Sequence, residues 1–209
     1  MKEKIVQYLK NKYFAEIIIL HGSRASGKSR DNSDWDIFVF TNKDVKGNPG
    51  EFDGQKLDVN VIRLPFERDE FIDDYGRNLH NAELLLDNED KTGKNIIEEG
   101  KKYYALGRNL TTREYANRKN YMSRIIDRMS GTVDKPERFF LYLGYFYEKA
   151  LQYWFETKGR FSKPVYDAVE VIKAEDDNYY QLLETIFSNT VSNEDKLKSV
   201  KELQKFLFK

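Results

Sequence analysis

The stretch HGSRASGKSRDNSDWDIFVF, residues 21–40, can be read in two ways. From Gly22 to Ser29 it fits G-x-x-x-x-G-K-[ST], the glycine-rich loop that cradles phosphates where a strand feeds into a helix. In the other reading, Gly22-Ser23 closes one strand, and Asp34 and Asp36 open the next. The neighbouring residues decide. A phosphate loop needs a helix starting near Lys28, whose first amides complete the cradle. Here Lys28 is followed by Ser29, Arg30, Asp31, Asn32, Ser33 and Asp34, a helix-poor run. A strand follows almost at once, before a crossover to a parallel strand could be built. The phosphate-loop reading is therefore set aside.

In the second reading, side-chain alternation does the work. Residues two apart on a strand share a face, so Asp34 and Asp36 stand side by side. Ile37 and Val39 take one face of WDIFVFT, while Asp36, Phe38 and Phe40 take the other. Trp35, between the two acids, points away from them and packs. An Asp leading a row of aromatics is poorly placed for plain solvent exposure, and two close carboxylates repel unless a cation lies between them. A third acid, Asp58, interrupts the apolar strand KLDVNVI, where a lone carboxylate is costly unless paired or metal-bound. If these strands are neighbours, Asp58 lies across from the pair. Three converging carboxylates suit two Mg²⁺ ions about 3.5–4 Å apart, the arrangement for in-line attack at phosphorus. Gly22-Ser23 then offers a tight turn, free amides and a hydroxyl to a triphosphate.

Composition narrows the chemistry further. The 209 residues suffice for one large domain or two small ones with a real core, and 40% hydrophobic with 33% charged residues mark a globular chain. Lys plus Arg and Asp plus Glu both number 35, so the net charge is zero, which argues against broad nucleic-acid binding. There is no cysteine, which excludes disulfides, thiolate nucleophiles and Cys-based zinc sites. Two histidines, His21 and His80, cannot make a His-rich centre, so any bound metal needs oxygen ligands, which points to magnesium or manganese. His21 is expected to be a strand-end residue bonded to a neighbour, and His80 structural or exposed. The apolar run near the N-terminus is too short and interrupted for a signal peptide or membrane span. A cytoplasmic location is expected.

The periodicities predict a helix over 2–13 and strands over 15–21, 35–41, 55–63 and 82–87, with helices over 65–76 and 94–106. The Gly- and Pro-rich segment 42–54 reads as a hairpin-type connection, making the strand at 55–63 antiparallel to that at 35–41. From about residue 110 the period is helical throughout: 112–130 after a T-x-x-E capping box, then 136–158, 164–174, 177–188 and 193–207. The fold class is an α/β N-terminal domain over 1–109, a small mixed sheet with flanking helices. An all-α helical bundle over 110–209 follows it.

HGSRASGKSRDNSDWDIFVF followed by LDVNVI resembles the nucleotidyltransferase superfamily related to DNA polymerase beta. That family shows an apolar strand, Gly-Ser, a spacer of about ten residues, Asp-x-Asp on the next strand and often a third acid on a later one. All of these parts stand in order over residues 15–62. In layout, the helical second half and the segment AELLLDNEDKTG before it are similar to small bacterial enzymes that nucleotidylate aminoglycosides and lincosamides. The resemblance implies that Asp34, Asp36 and Asp58 are catalytic and hold two Mg²⁺ or Mn²⁺ ions. Asp58 would complete the site at the acceptor hydroxyl, and Gly22, Ser23 and Arg24 would contact the phosphates of the NTP.

Such enzymes commonly send a lysine from the second domain to the triphosphate. Lys149, the one cation in LYLGYFYEKALQYWF, is the candidate here, with Glu148 beside it as the candidate acceptor-side base. The implied reaction moves an NMP, AMP in the first instance, to a hydroxyl of a small-molecule acceptor, with antibiotics among the candidates. The alternatives are a protein nucleotidyltransferase, such as the antitoxin partner of a HEPN-type toxin, and a nucleotide-binding regulator without turnover. The helical half is not itself such a toxin, because no His follows His80 to complete an Arg-x(4–6)-His motif. Tyr142, Tyr145, Phe146, Tyr147, Tyr153 and Trp154 are expected mostly in the core, and their helix is also a candidate homodimer interface.

Overall fold

The computed structural model describes residues 1–209, which divide into two compact units, Met1–Leu106 and Gly107–Lys209. In chain order the first unit contains α1 (Lys2–Tyr13), β1 (Ile17–His21), α2 (Gly22–Ala25), β2 (Trp35–Thr41), β3 (Gly50–Phe52) and β4 (Gln55–Arg63). These are followed by α3 (Arg68–Tyr75), a 3₁₀ turn (Gly76–Leu79), β5 (Glu83–Leu86) and α4 (Thr92–Leu106). IIILH of β1 is apolar at four positions running, so it must be covered on both faces and both edges, and all five of its residues are buried. Its edges are taken by β2 and β5, both antiparallel, in a sheet of order β3-β4-β2-β1-β5.

Alternation sorts the two faces. Ile18, Leu20, Trp35, Ile37, Val39, Leu57 and Val59 pack with Ile5, Leu9 and Tyr13 of α1. Ile17, Ile19, Phe38 and Phe40 pack instead with Phe71 of α3, Leu79 of the 3₁₀ turn, and Ile96 and Ile97 of α4. Trp35 therefore lies on the α1 face, as its place between the two acids predicts, and Asp36 leads the opposite face.

One pairing differs from expectation. β4 runs parallel to β2, with Asp36 opposite Asp58, rather than antiparallel. The connection contains two reversals, not one. Residues 42–49 carry the chain back along the sheet, held by the Tyr13 hydroxyl donating to the Gly47 carbonyl at 2.7 Å. The chain then turns again at Asp53-Gly54, both at positive φ, where β3 and β4 form a hairpin. Two reversals restore the direction of β2.

The second unit contains α5 (Thr112–Ser130), α6 (Pro136–Glu156), α7 (Val165–Glu175), α8 (Asp177–Phe187) and α9 (Asn193–Leu207). The predicted capping box is present: Thr111 Oγ1 accepts from the Glu114 amide and Glu114 Oε2 from the Thr111 amide. Met122, Ile126, Phe139, Phe146, Trp154, Ile172, Tyr179, Leu183 and Val200 lie in one core drawn from all five helices. Glu156, at 3% exposure, is the buried acid of this unit; Arg118 and Gln152 donate to it and Arg108 lies 3.8 Å away. Glu156→Ala removes the buried carboxylate of Arg118 and leaves it only the partly exposed Glu114 at 4.0 Å, so it is expected to destabilise the unit by about 3 kcal/mol in urea unfolding. No helix in the chain is long and apolar enough to cross a membrane.

Candidate active site

Three strands meet at one end of the sheet. His21 pairs with Asp36 across β1 and β2, and Asp36 pairs with Asp58 across β2 and β4. Partners in register share a face, so His21, Asp36 and Asp58 form one row on the α3–α4 face. Asp34 stands exposed just before β2. Asp36 is half-buried, and its carboxyl is pushed above the usual range by burial first, then by Asp58 and Asp34. All three causes act in the same direction, and no cation offsets them.

Gly22 makes room for this acid. It begins α2 with φ +72°, and a Cβ there would lie 2.1 Å from Asp36 Oδ2. The glycine thus serves both the left-handed backbone and the close approach of the carboxylate. The amides of Ser23, Arg24 and Ala25 fall in the first turn of α2, where no carbonyl of that helix is available to them. Ser23 is half-buried beside them.

Arg24 departs from expectation. Its guanidinium donates to the Ser33 carbonyl at 3.0 and 2.6 Å and to Gln55 Oε1 at 3.3 Å, and it lies over the Trp35 ring at 4.6 Å. Since Trp35 belongs to the α1 face, Arg24 braces the loop between β1 and β2 and does not point toward the carboxylates. Planar guanidinium stacks well on an indole, and that attraction explains the choice.

Two features of the row could not be read from the sequence. Asn48 donates from Nδ2 to Asp58 Oδ1 at 3.0 Å, while its own Oδ1 accepts from the Gly50 amide at 3.1 Å. The only signal for it was an Asn in a turn-forming Asn-Pro-Gly. Asn48→Ala frees Asp58 to rotate. If Asp58 serves the reaction, turnover is expected to fall by roughly tenfold or more, as for other groups that orient a ligand, with the melting temperature unchanged. Steady-state kinetics beside a melt checks this.

His21 is the second. It is 8% exposed and stacks on Phe38 at 4.2 Å, and its Nε2 has no hydrogen-bond partner, where the sequence suggested a bonded strand-end residue. Burial holds its pKa down to about 4, against a smaller upward pull from Asp58, so the ring is neutral at pH 7. His80 stacks on Tyr104 and pairs through Nδ1 with the Arg77 carbonyl.

The three carboxylates do not close into a set of three with metal-ligating spacing. Bare carboxylates repel one another, and Asp58 turns to Asn48 instead. The residue types and the uncompensated charge on Asp36 nevertheless fit a hard cation with oxygen ligands.

Lys149 and Glu148 lie on α6, in the second unit. Lys149 Nζ donates to Gln152 Oε1 at 3.0 Å and Glu148 Oε1 at 3.2 Å, and Gln152 passes a hydrogen bond on to Glu156 at 2.9 Å. Phe146 and Trp154 are fully buried and Tyr153 nearly so, whereas Tyr145 is half exposed.

Residues 3–102 match the family model described as polymerase beta, nucleotidyltransferase. The first unit is a nucleotidyltransferase domain of the polymerase beta family. The match spans the whole row of His21, Asp36 and Asp58 and all five strands of this nucleotidyltransferase domain. The chain is also similar to the crystal structure of a nucleotidyltransferase-like protein from Exiguobacterium sibiricum 255-15, at TM-score 0.52 and 11% identity, covering 100% of this chain and 74% of that one. At that identity the likeness concerns the fold alone. Among curated proteins nothing matches. The mixed sheet with flanking helices, followed by a helical bundle, agrees with the architecture expected from the sequence.

Proposed function

We propose that the nucleotidyltransferase domain moves a nucleoside monophosphate, AMP in the first instance, from an NTP to a hydroxyl of a small-molecule acceptor, with pyrophosphate leaving. The observation that carries this reading is Asp36: a half-buried carboxylate beside two other acids, with Gly22 emptied against it and no cation to offset it. Asp34, Asp36 and Asp58 would hold two Mg²⁺ or Mn²⁺ ions, which when bound supply charge neutralisation at the phosphates and a more acidic acceptor hydroxyl. The chain's own groups do the rest. Ser23 and the first-turn amides of α2 donate to the outer phosphates. Asp58, steadied by Asn48, receives the acceptor's proton as its oxygen attacks the α-phosphorus. Lys149 is the candidate second-unit cation for the triphosphate, and Glu148 the alternative to Asp58 as acceptor-side base.

Thermal melting with each of the four NTPs, with and without Mg²⁺, tests the reading. A ligand at a hundredfold excess over its Kd adds about 2.7 kcal/mol, which for a chain of this size is a shift of roughly 5–10 °C. Wild type and Lys28→Ala are expected to shift only with Mg²⁺, and Asp36→Asn not at all. No shift in wild type with any NTP and metal, or a shift lost with Lys28 and kept without Asp36, would overturn the proposal.

A further inference from the structure

One buried side-chain nitrogen of the nucleotidyltransferase domain has no partner. His21 closes β1, after Ile17, Ile18, Ile19 and Leu20, and is 8% exposed. Its Nε2 is out of reach of solvent and makes no hydrogen bond. A ring nitrogen carries either a hydrogen or a lone pair, and each needs a polar partner. Buried polar atoms almost always have one, so an exception calls for a reason. Packing does not supply it. The ring stacks on Phe38 at 4.2 Å, and Phe38 in turn meets Phe71 and Tyr75 edge-on. An apolar ring would fill that place without stranding a nitrogen. A residue that breaks the rule of its strand in this way is expected where a site requires it.

The surroundings name the partner. His21 and Asp36 face each other across β1 and β2, and cross-strand neighbours on one face have Cβ atoms about 4.5–5.5 Å apart. Asp58 follows one strand further on. The Asp36 carboxylate leans over the end of β1, where a Cβ on Gly22, the residue after His21, would lie 2.1 Å from Oδ2 and 3.0 Å from Cγ. It therefore stands next to the imidazole, yet it does not accept from Nε2 in this structure. Ile19 and Phe38, the ring's other neighbours in the two strands, are hydrocarbon. The two groups have complementary needs. The nitrogen lacks a partner, and burial, Asp58 and Asp34 all work against the charge on Asp36, which a donor would relieve.

We propose that His21 is a positioning residue of the metal site: its Nε2–H donates to one carboxylate oxygen of Asp36 when that carboxylate turns to hold a cation with the other. The inference rests on Asp36 being a metal ligand, as in the transfer reaction proposed above. Ligating carboxylates are themselves held by such hydrogen bonds, and losing one weakens metal binding by about 10–100-fold. His21 thereby limits Asp36 to one orientation, as Asn48 limits Asp58. Sites held ready for a ligand commonly cost the empty fold stability in this way.

Titration of the full chain with Mn²⁺ alone tests this, with the free ion followed by electron paramagnetic resonance. Wild type is expected to bind Mn²⁺ and Asp36→Asn not to. His21→Phe keeps the stack on Phe38 and removes the nitrogen. Without metal it is expected to melt no lower than wild type, because no buried polar atom is left unpaired. It is expected to raise the Mn²⁺ dissociation constant by about 10–100-fold. His21→Gln carries an amide N–H of similar reach and is expected to recover most of that loss, which a role in packing alone would not give. An affinity unchanged in His21→Phe, or lost equally in His21→Phe and His21→Gln, would overturn the proposal. So would a wild type that binds no Mn²⁺, and the metal-dependent transfer reading would fall with it. Mn²⁺ binding that depends on His21, with no NTP shifting the melt in the presence of metal, would support the positioning role and sink the transfer reading alone.

Discussion

Asp36→Asn is expected to abolish metal-dependent nucleotide transfer, by on the order of 10³-fold or more, without weakening the ligand-free fold. Charge stabilisation by bound metal contributes several kcal/mol to such reactions, and each 1.36 kcal/mol is a factor of ten. Asparagine keeps the shape but removes the charge that would hold the ion. The fold gains from the change, because burial, Asp58 and Asp34 all oppose ionisation of Asp36. The sign follows from linkage. Asp36 binds its proton more tightly in the folded state than in the unfolded one. Its contribution to stability is therefore fully present below the unfolded carboxylate pKa and is lost as pH rises through the raised folded value. The ligand-free wild type should lose stability as pH rises from the usual carboxylate range through the raised folded value, and Asp36→Asn should show a flatter profile. Urea unfolding from about pH 4 to about pH 8 measures both. A variant that keeps activity, or that is less stable than wild type at neutral pH, would contradict this role for Asp36.

The same residue shows why part of this site could be read from the sequence and part could not. Asp36 and Asp58 break the rules of the strands that carry them, one heading a row of aromatics and the other set between Leu57 and Val59. A period of two fixes which face they share. Helix limits in the second unit were equally readable, because Thr111, Pro136 and the apolar period mark them chemically. Strand direction leaves no such mark. A Gly- and Pro-rich segment looks alike whether it reverses once or twice, so the parallel pairing of β2 and β4 appears only in the structure. Adjacency in sequence likewise misplaced Arg24. It follows Ser23, but its long side chain reaches Trp35 and the Ser33 carbonyl. Asn48 and the unpartnered His21 nitrogen acquire meaning only from what surrounds them, and contact between residues distant in sequence leaves no periodic trace.

Gly22→Ala should be the most damaging single-methyl change in the nucleotidyltransferase domain. Two penalties combine. The left-handed backbone at φ +72° disfavours any side chain by about 1–2 kcal/mol. The new methyl would also stand 2.1 Å from Asp36 Oδ2, far inside contact distance, so the carboxylate must move. A displacement of about 1 Å in a catalytic group costs on the order of 10²-fold in rate, so activity is expected to fall by at least that much. Stability is expected to fall by about 2–4 kcal/mol in all. Gly27→Ala separates the two penalties. Gly27 has φ +73° with nothing within 4 Å of its would-be Cβ, so it carries the backbone penalty alone. Adding Asp36→Ala to Gly22→Ala removes the colliding carboxylate. The double variant is then expected to be more stable than the sum of the single effects predicts, by about 1–2 kcal/mol, while remaining inactive. Additive stabilities would mean that the carboxylate can step aside freely, and Gly22 would then matter for its backbone alone.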